Sequence, residues 1–168
     1  PSHGSPTNLT NVAGTLFFTA NDGQHGVELW KIGQDGQASL VKDINADSAS
    51  SAPQNLTEFG GRLLFTATDA FHGYELWVSD GDAASTQLLK DVYDGSESSD
   101  PDELTVQGGR AYFSASDAFH GRELWSTDGT PEGTELVSDI NPGSSDATPA
   151  NLNEASMAVE NLRAAITG

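Results

Sequence analysis

The chain contains no cysteine, only 7 lysines and arginines against 25 aspartates and glutamates, and a single methionine in 168 residues. The missing cysteines exclude a disulfide framework, a thiolate metal site and a cysteine nucleophile. The shortage of basic residues leaves a formal charge of −18. A surface that negative repels phosphate backbones and anionic headgroups, so neither nucleic-acid partners nor a basic membrane-surface role is expected. Long apolar runs are lacking too. None approaches the roughly 20 residues that span a bilayer, so no membrane insertion is expected, and the N-terminus lacks the regions of a signal peptide. Hydrophobic residues still make up 36%, enough for a core at this length, and 18 glycines point to turns.

What is present is a repeat. Leu29-Trp30, Leu76-Trp77 and Leu124-Trp125 recur at offsets of 47 and 48, and His25, His72 and His120 keep the same step, each followed by glycine. Asp43, Asp91 and Asp139 each lie ten residues before Pro53, Pro101 and Pro149. Asn8-Leu9, Asn55-Leu56, Glu103-Leu104 and Asn151-Leu152 open successive units. The units are therefore 8–54, 55–102 and 103–150; residues 1–7 read as the tail of a preceding unit, and 151–168 as a start abandoned at once. The expectation is a segment of a longer array, in which case a secretory signal would lie upstream.

Within the middle unit, a short extended segment at Leu56–Phe59 ends at Gly60-Gly61. Three further stretches rich in β-branched and aromatic residues follow at 62–68, 74–79 and 86–92. Asp80-Gly81 reads as a tight hairpin turn. Four short antiparallel strands per unit predict an all-β chain of three four-stranded, β-propeller-like blades. A β-trefoil-like arrangement of three such units is the alternative. Apolar residues on both faces, such as Phe65, Leu76, Trp77 and Leu88, require neighbouring sheets to cover them. Residues 154–166 break the pattern: Ala155, Ala158, Val159, Leu162, Ala165 and Ile166 fall at helical spacing, which predicts a short amphipathic C-terminal helix. It reads as a cap over the last sheet or as a partner-binding element.

The segments Glu28-Leu29-Trp30, Glu75-Leu76-Trp77-Val78-Ser79-Asp80-Gly81 and Glu123-Leu124-Trp125-Ser126-Thr127-Asp128-Gly129-Thr130 give the chain a family likeness. It resembles the bacterial ELWxxDGT-repeat proteins over about residues 1–152. The resemblance implies large, secreted or surface-attached proteins with propeller-like repeat regions, and it implies no defined activity. The first unit departs from the motif at Lys31-Ile32-Gly33-Gln34-Asp35-Gly36, and the middle one has Asp82 where the third has Thr130.

Two acidic loops carry the candidate chemistry. The DxxHG loop holds Asp22, Asp69 and Asp117 beside the histidines. These carboxylates either fix the loop by accepting backbone hydrogen bonds or serve as oxygen ligands for calcium. The loop after the fourth strand holds Asp43, Asp91 and Asp139, with Asp47, Asp94, Asp100 and Asp146 nearby. It presents the same choice, and calcium is the one candidate cofactor. A metal site shared by the three histidines needs symmetry to bring them together, so a structural role is expected. Trp30, Trp77 and Trp125 form a carbohydrate-stacking ladder if exposed, although their apolar strands favour packing between sheets. Glu28, Glu75 and Glu123 each have a copy in every unit, unlike the two differentiated carboxylates of a glycosidase. The residues that stand alone, Lys31, Tyr93 and Met157, form no constellation.

The expected function is therefore a non-enzymatic binding or adhesion module of a secreted or cell-surface protein, displaying loops to protein or glycan partners. The alternative is a structural, self-assembling array, as a homo-oligomer or a longer chain of units and stabilised by calcium. An enzyme stands last.

Overall fold

A computed structural model describes residues 5–147, and the expected helix at 154–166 lies outside them. The described residues form twelve strands in three sheets. The first sheet holds β1 (Thr7–Val12), β2 (Thr15–Asn21), β3 (Val27–Ile32) and β4 (Ala38–Lys42). The second holds β5 (Gln54–Phe59), β6 (Arg62–Ala67), β7 (Glu75–Ser79) and β8 (Gln87–Lys90). The third holds β9 (Asp102–Gln107), β10 (Arg110–Asp117), β11 (Gly121–Thr127) and β12 (Glu135–Ser138). Neighbours pair antiparallel in chain order, and each sheet follows one repeat, its opening strand starting one residue before the unit, at Thr7, Gln54 and Asp102. The all-β expectation of three four-stranded units is met.

Turn chemistry explains the first hairpin of each unit. Gly60-Gly61 and Gly108-Gly109 both take positive φ at the two central positions, the left-handed pair that suits a twisted two-residue hairpin. Ala13-Gly14 does the same with alanine at φ 48°. The opening strands β1 and β5 also share an irregular register, with Asn8 and Asn55 left-handed at φ 55° and 53°; β9 repeats it with Glu103 at 58°. The Asp80-Gly81 expectation needs correction. These residues begin a longer loop, 80–86, rather than a two-residue hairpin turn. The Asp82 carboxylate caps the amides of Ala84 and Ser85, and the Ser79 and Thr86 hydroxyls meet at 2.7 Å across its base.

The core lies between sheets. One cluster joins Phe17, Leu29 and Val41 of the first sheet to Leu63, Phe65 and Trp77 of the second. The next joins Leu64, Leu76 and Leu89 of the second to Ala111, Phe113 and Trp125 of the third. Trp77 and Trp125 are thus buried packing residues, whereas Trp30, with no described sheet before it, is half-buried. Full burial of a large apolar side chain contributes roughly 1.5–3 kcal/mol, so the joints carry much of the stability. Polar clips reinforce them: Lys42 Nζ donates to the Thr86 carbonyl at 2.7 Å, and Lys90 Nζ to that of Thr134 at 2.8 Å. The opening strands β1, β5 and β9 lie side by side, which brings the loops at the strand ends of successive sheets together.

Candidate functional site

The two acidic loops of each repeat pack against each other. In the DxxHG loop, one oxygen of Asp22 accepts the amides of Gln24 and His25, and the other meets His25 Nδ1 at 2.7 Å. Asp69 caps Phe71 and His72 and holds the His72 ring at 2.9 Å; Asp117 treats Phe119 and His120 alike, with its ring contact at 2.7 Å. The following glycines permit close approach. A methyl at Gly26 or Gly73 would strike the carbonyl of Ala49 or Glu97 in the second loop.

Charge and hydrogen bonding tune these groups. The amide hydrogens of His25 and Gln24, with the His25 ring, hold the Asp22 carboxyl down at about 2. At Asp69 and Asp117 burial pushes the pKa up, yet the amides and imidazole together hold it below the usual carboxylate range. His25 and His120 are raised by their bonds to Asp22 and Asp117, with Asp43 and Asp139 adding to the pull. His72 Nε2 lies 3.9 Å from Asp91. Each imidazole is therefore set among carboxylates of both loops of its own repeat, and the three histidines sit at three separate loops.

The strand glutamates tie the second loop down. Glu75 is fully buried and accepts the amides of Val92, Tyr93 and Ser99 and the Ser99 hydroxyl. Glu28 accepts Ile44, Ser51 and the Ser51 hydroxyl in the same way. Glu123 keeps the amides of Ile140 and Asn141 but has Ala147 where the others have serine. Burial pushes the Glu28 and Glu75 carboxyls up despite these donors. Buried acids whose lone pairs are already occupied serve as scaffold groups, beyond the reach of a substrate.

As calcium candidates, Asp22, Asp69 and Asp117 spend oxygens on their own loops, as do Asp43 and Asp91, which accept the amides of Asp47 and Gly95. Among the described residues, no three His, Asp or Glu side chains are placed to hold one metal ion. Among the described residues, the Oδ1 atom in each of Asp43, Asp91 and Asp139 is nevertheless buried without a hydrogen-bond partner.

A different feature emerges between the second and third sheets: a cleft of about 370 Å³. Gln54, at the start of β5, and Asn55, Thr66 and Tyr74 of the second repeat form one wall. Asp100, Pro101 and Asp102 form the joint, and Arg122 of the third repeat closes the other side. Arg122 Nη2 donates to the Asp100 carbonyl at 2.9 Å and to Ser114 Oγ at 2.8 Å. Asn55 and Thr66 both donate to the Pro101 carbonyl, fixing the floor. Most of these residues depart from the repeat: Tyr74 and Arg122 stand where the first unit has Val27, Asp100 where it has Ala52, and Gln54 and Asp102 where it has Thr7. The lone residues Lys31 and Tyr93 do not line the cleft, and the cleft set shows in the sequence only as position-by-position differences between the units.

The fold thus defines an all-β repeat protein of three four-stranded antiparallel sheets, with a polar cleft at one joint. The chain matches no family model, no curated protein and no solved structure.

Proposed function

We propose that the chain is a non-enzymatic binding module of a secreted or cell-surface bacterial protein. Its propeller-like scaffold is repeated, and its recognition groups are the residues that vary between repeats. The observation that carries this reading is the gathering of Tyr74, Asp100, Asp102 and Arg122 in one cleft, while the repeated acids Glu28, Glu75 and Glu123 are buried scaffold groups. Evolution of a binding face on a fixed frame leaves this division between constant core and variable rim. The acidic, cysteine-free composition suits an extracellular setting without disulfides. Immobilised chain probed with arrayed glycans and purified extracellular proteins tests the reading. Saturable binding of one ligand supports it, and absence of binding to either class counts against it.

The second reading is a self-assembling array. It is favoured by the equivalent joints, in which Lys42 and Lys90 clip one repeat to the next in the same way. Concentration-dependent mass in sedimentation, unaffected by changes in the cleft, separates it from the first. Calcium belongs to this reading as a stabiliser. The three unpartnered Oδ1 atoms of Asp43, Asp91 and Asp139 support it, and melting in millimolar calcium against chelator tests it.

A further inference from the structure

The geometry points to a neutral saccharide, one or two pyranose rings in length, as the ligand of the cleft between the second and third repeats. This inference rests on the binding-module reading and names its ligand. Among the described residues, several cleft groups have no intramolecular hydrogen-bond partner: the Gln54 amide, the Tyr74 hydroxyl, the Asp100 carboxylate, and Nε and Nη1 of Arg122. Asp102 uses one oxygen on the Glu103 amide and leaves the other. Donors and acceptors therefore face the same small volume, and vicinal hydroxyls, which both donate and accept, answer both.

Charge narrows the class. Asp100 and Asp102, in a chain of −18, oppose uronates, sialic acids and phosphates. Arg122, which forms no ion pair among the described residues, opposes amines. Arg62 and Arg110, by contrast, are each paired with a carboxylate, Asp80 and Glu135. The half-buried Tyr74 supplies ring surface for the C–H face of a sugar. A volume of about 370 Å³ lies at the small end of ligand pockets, roughly 300–1,000 Å³, which favours a short saccharide over an extended chain.

The test is an amide-shift NMR titration of the chain with methyl glycosides of glucose, galactose, mannose and N-acetylglucosamine, alongside glucuronate and glucosamine. At least one neutral glycoside is expected to move the amides of Asn55, Tyr74, Asp102 and Arg122. Tyr74→Val and Asp100→Ala, which install the first repeat's own residues, are expected to weaken it at least tenfold. Gln54→Thr, at an exposed position, is a further variant with little bearing on folding. Movement of these amides only by glucuronate or only by glucosamine overturns the assignment, as does neutral binding that all three variants leave intact. Absence of any shift does the same. In each of those cases, a ligand found on the glycan or protein arrays would leave the binding-module reading standing without this site.

Discussion

Lys90 reaches out of its own sheet and donates through Nζ to the backbone carbonyl of Thr134 at 2.8 Å, and Lys42 makes the equivalent bond to Thr86 at 2.7 Å. Each lysine thus fastens the end of one repeat's last strand to the start of the next repeat's. Lys90→Met keeps the stem that packs at the joint and removes the donor. The expected cost is about 1–2 kcal/mol in urea unfolding, in line with a hydrogen bond to a charged group at a half-buried site. Because the two clips belong to different joints, the Lys42→Met and Lys90→Met losses should add to within about 0.5 kcal/mol. A neutral Lys90→Met variant would remove the clip from the account of stability.

Glu75 receives four donors on two oxygens. Glu75→Gln turns one oxygen into an amide that can only donate; with that amide facing the Ser99 hydroxyl, which can turn to accept, the Val92 amide still loses its acceptor inside the protein. A destabilisation of about 2–3 kcal/mol is expected in chemical unfolding. The same change at Glu123, which holds fewer donors among the described residues, should cost less. Equal losses would show that the number of donors is not what matters.

Three described positions adopt left-handed backbone with residues poorly suited to it, Ala13 at φ 48°, Ala52 at 44° and Glu103 at 58°. Asn8 and Asn55 occupy the Glu103 position in the other repeats, and their amides reach the carbonyls of Pro53 and Pro101. Ala13→Gly and Glu103→Asn should each stabilise by about 1 kcal/mol, the usual penalty of left-handed geometry for an ordinary residue. Thermal melting decides this, and a lowered midpoint contradicts it.

The Asp–His loops make a pH window. Asp22 sits at about 2 against an ordinary 3.8, so its contribution is present above 3.8 and is lost as the pH falls towards 2. His25 and His120 are raised above 6.5, so theirs is fully present below 6.5 and is lost as the pH rises through the folded value. The loops are held best between these limits. Imidazole titration by NMR should place His25 and His120 above 6.5, and Asp22→Asn should return His25 towards it. A His25 midpoint unmoved by that change would mean Asp22 does not set it.

The repeat and its strands are legible in the sequence because their causes are local: alternating apolar residues, and Gly60-Gly61 or Gly108-Gly109 where both turn positions need positive φ. The 80–86 loop was not, since Asp80-Gly81 carries the same signature and only Asp82, through its caps, lengthens the turn. The two acidic loops read as separate features until Glu28, Glu75 and Glu123 join them. An acid inside an apolar strand was itself the clue, because burial demands donors from elsewhere. The cleft depends on which residues of different repeats face each other across a joint. Tyr74 and Arg122 share a repeat position and meet only because their sheets are neighbours.

In both lysine clips the donor belongs to the earlier repeat and the acceptor to the later one, as in the Arg62 bond to the Gly129 carbonyl, whereas the amides of Thr68 and Ser116 donate back to the Ser51 and Ser99 carbonyls. A joint built this way has a direction. Two copies related by a twofold axis would set one face against itself, lysine against lysine, so no symmetric dimer can reproduce it. Extension by further repeats or further chains must run head to tail, and such heterologous contact ends only by closing into a ring or continuing as a filament.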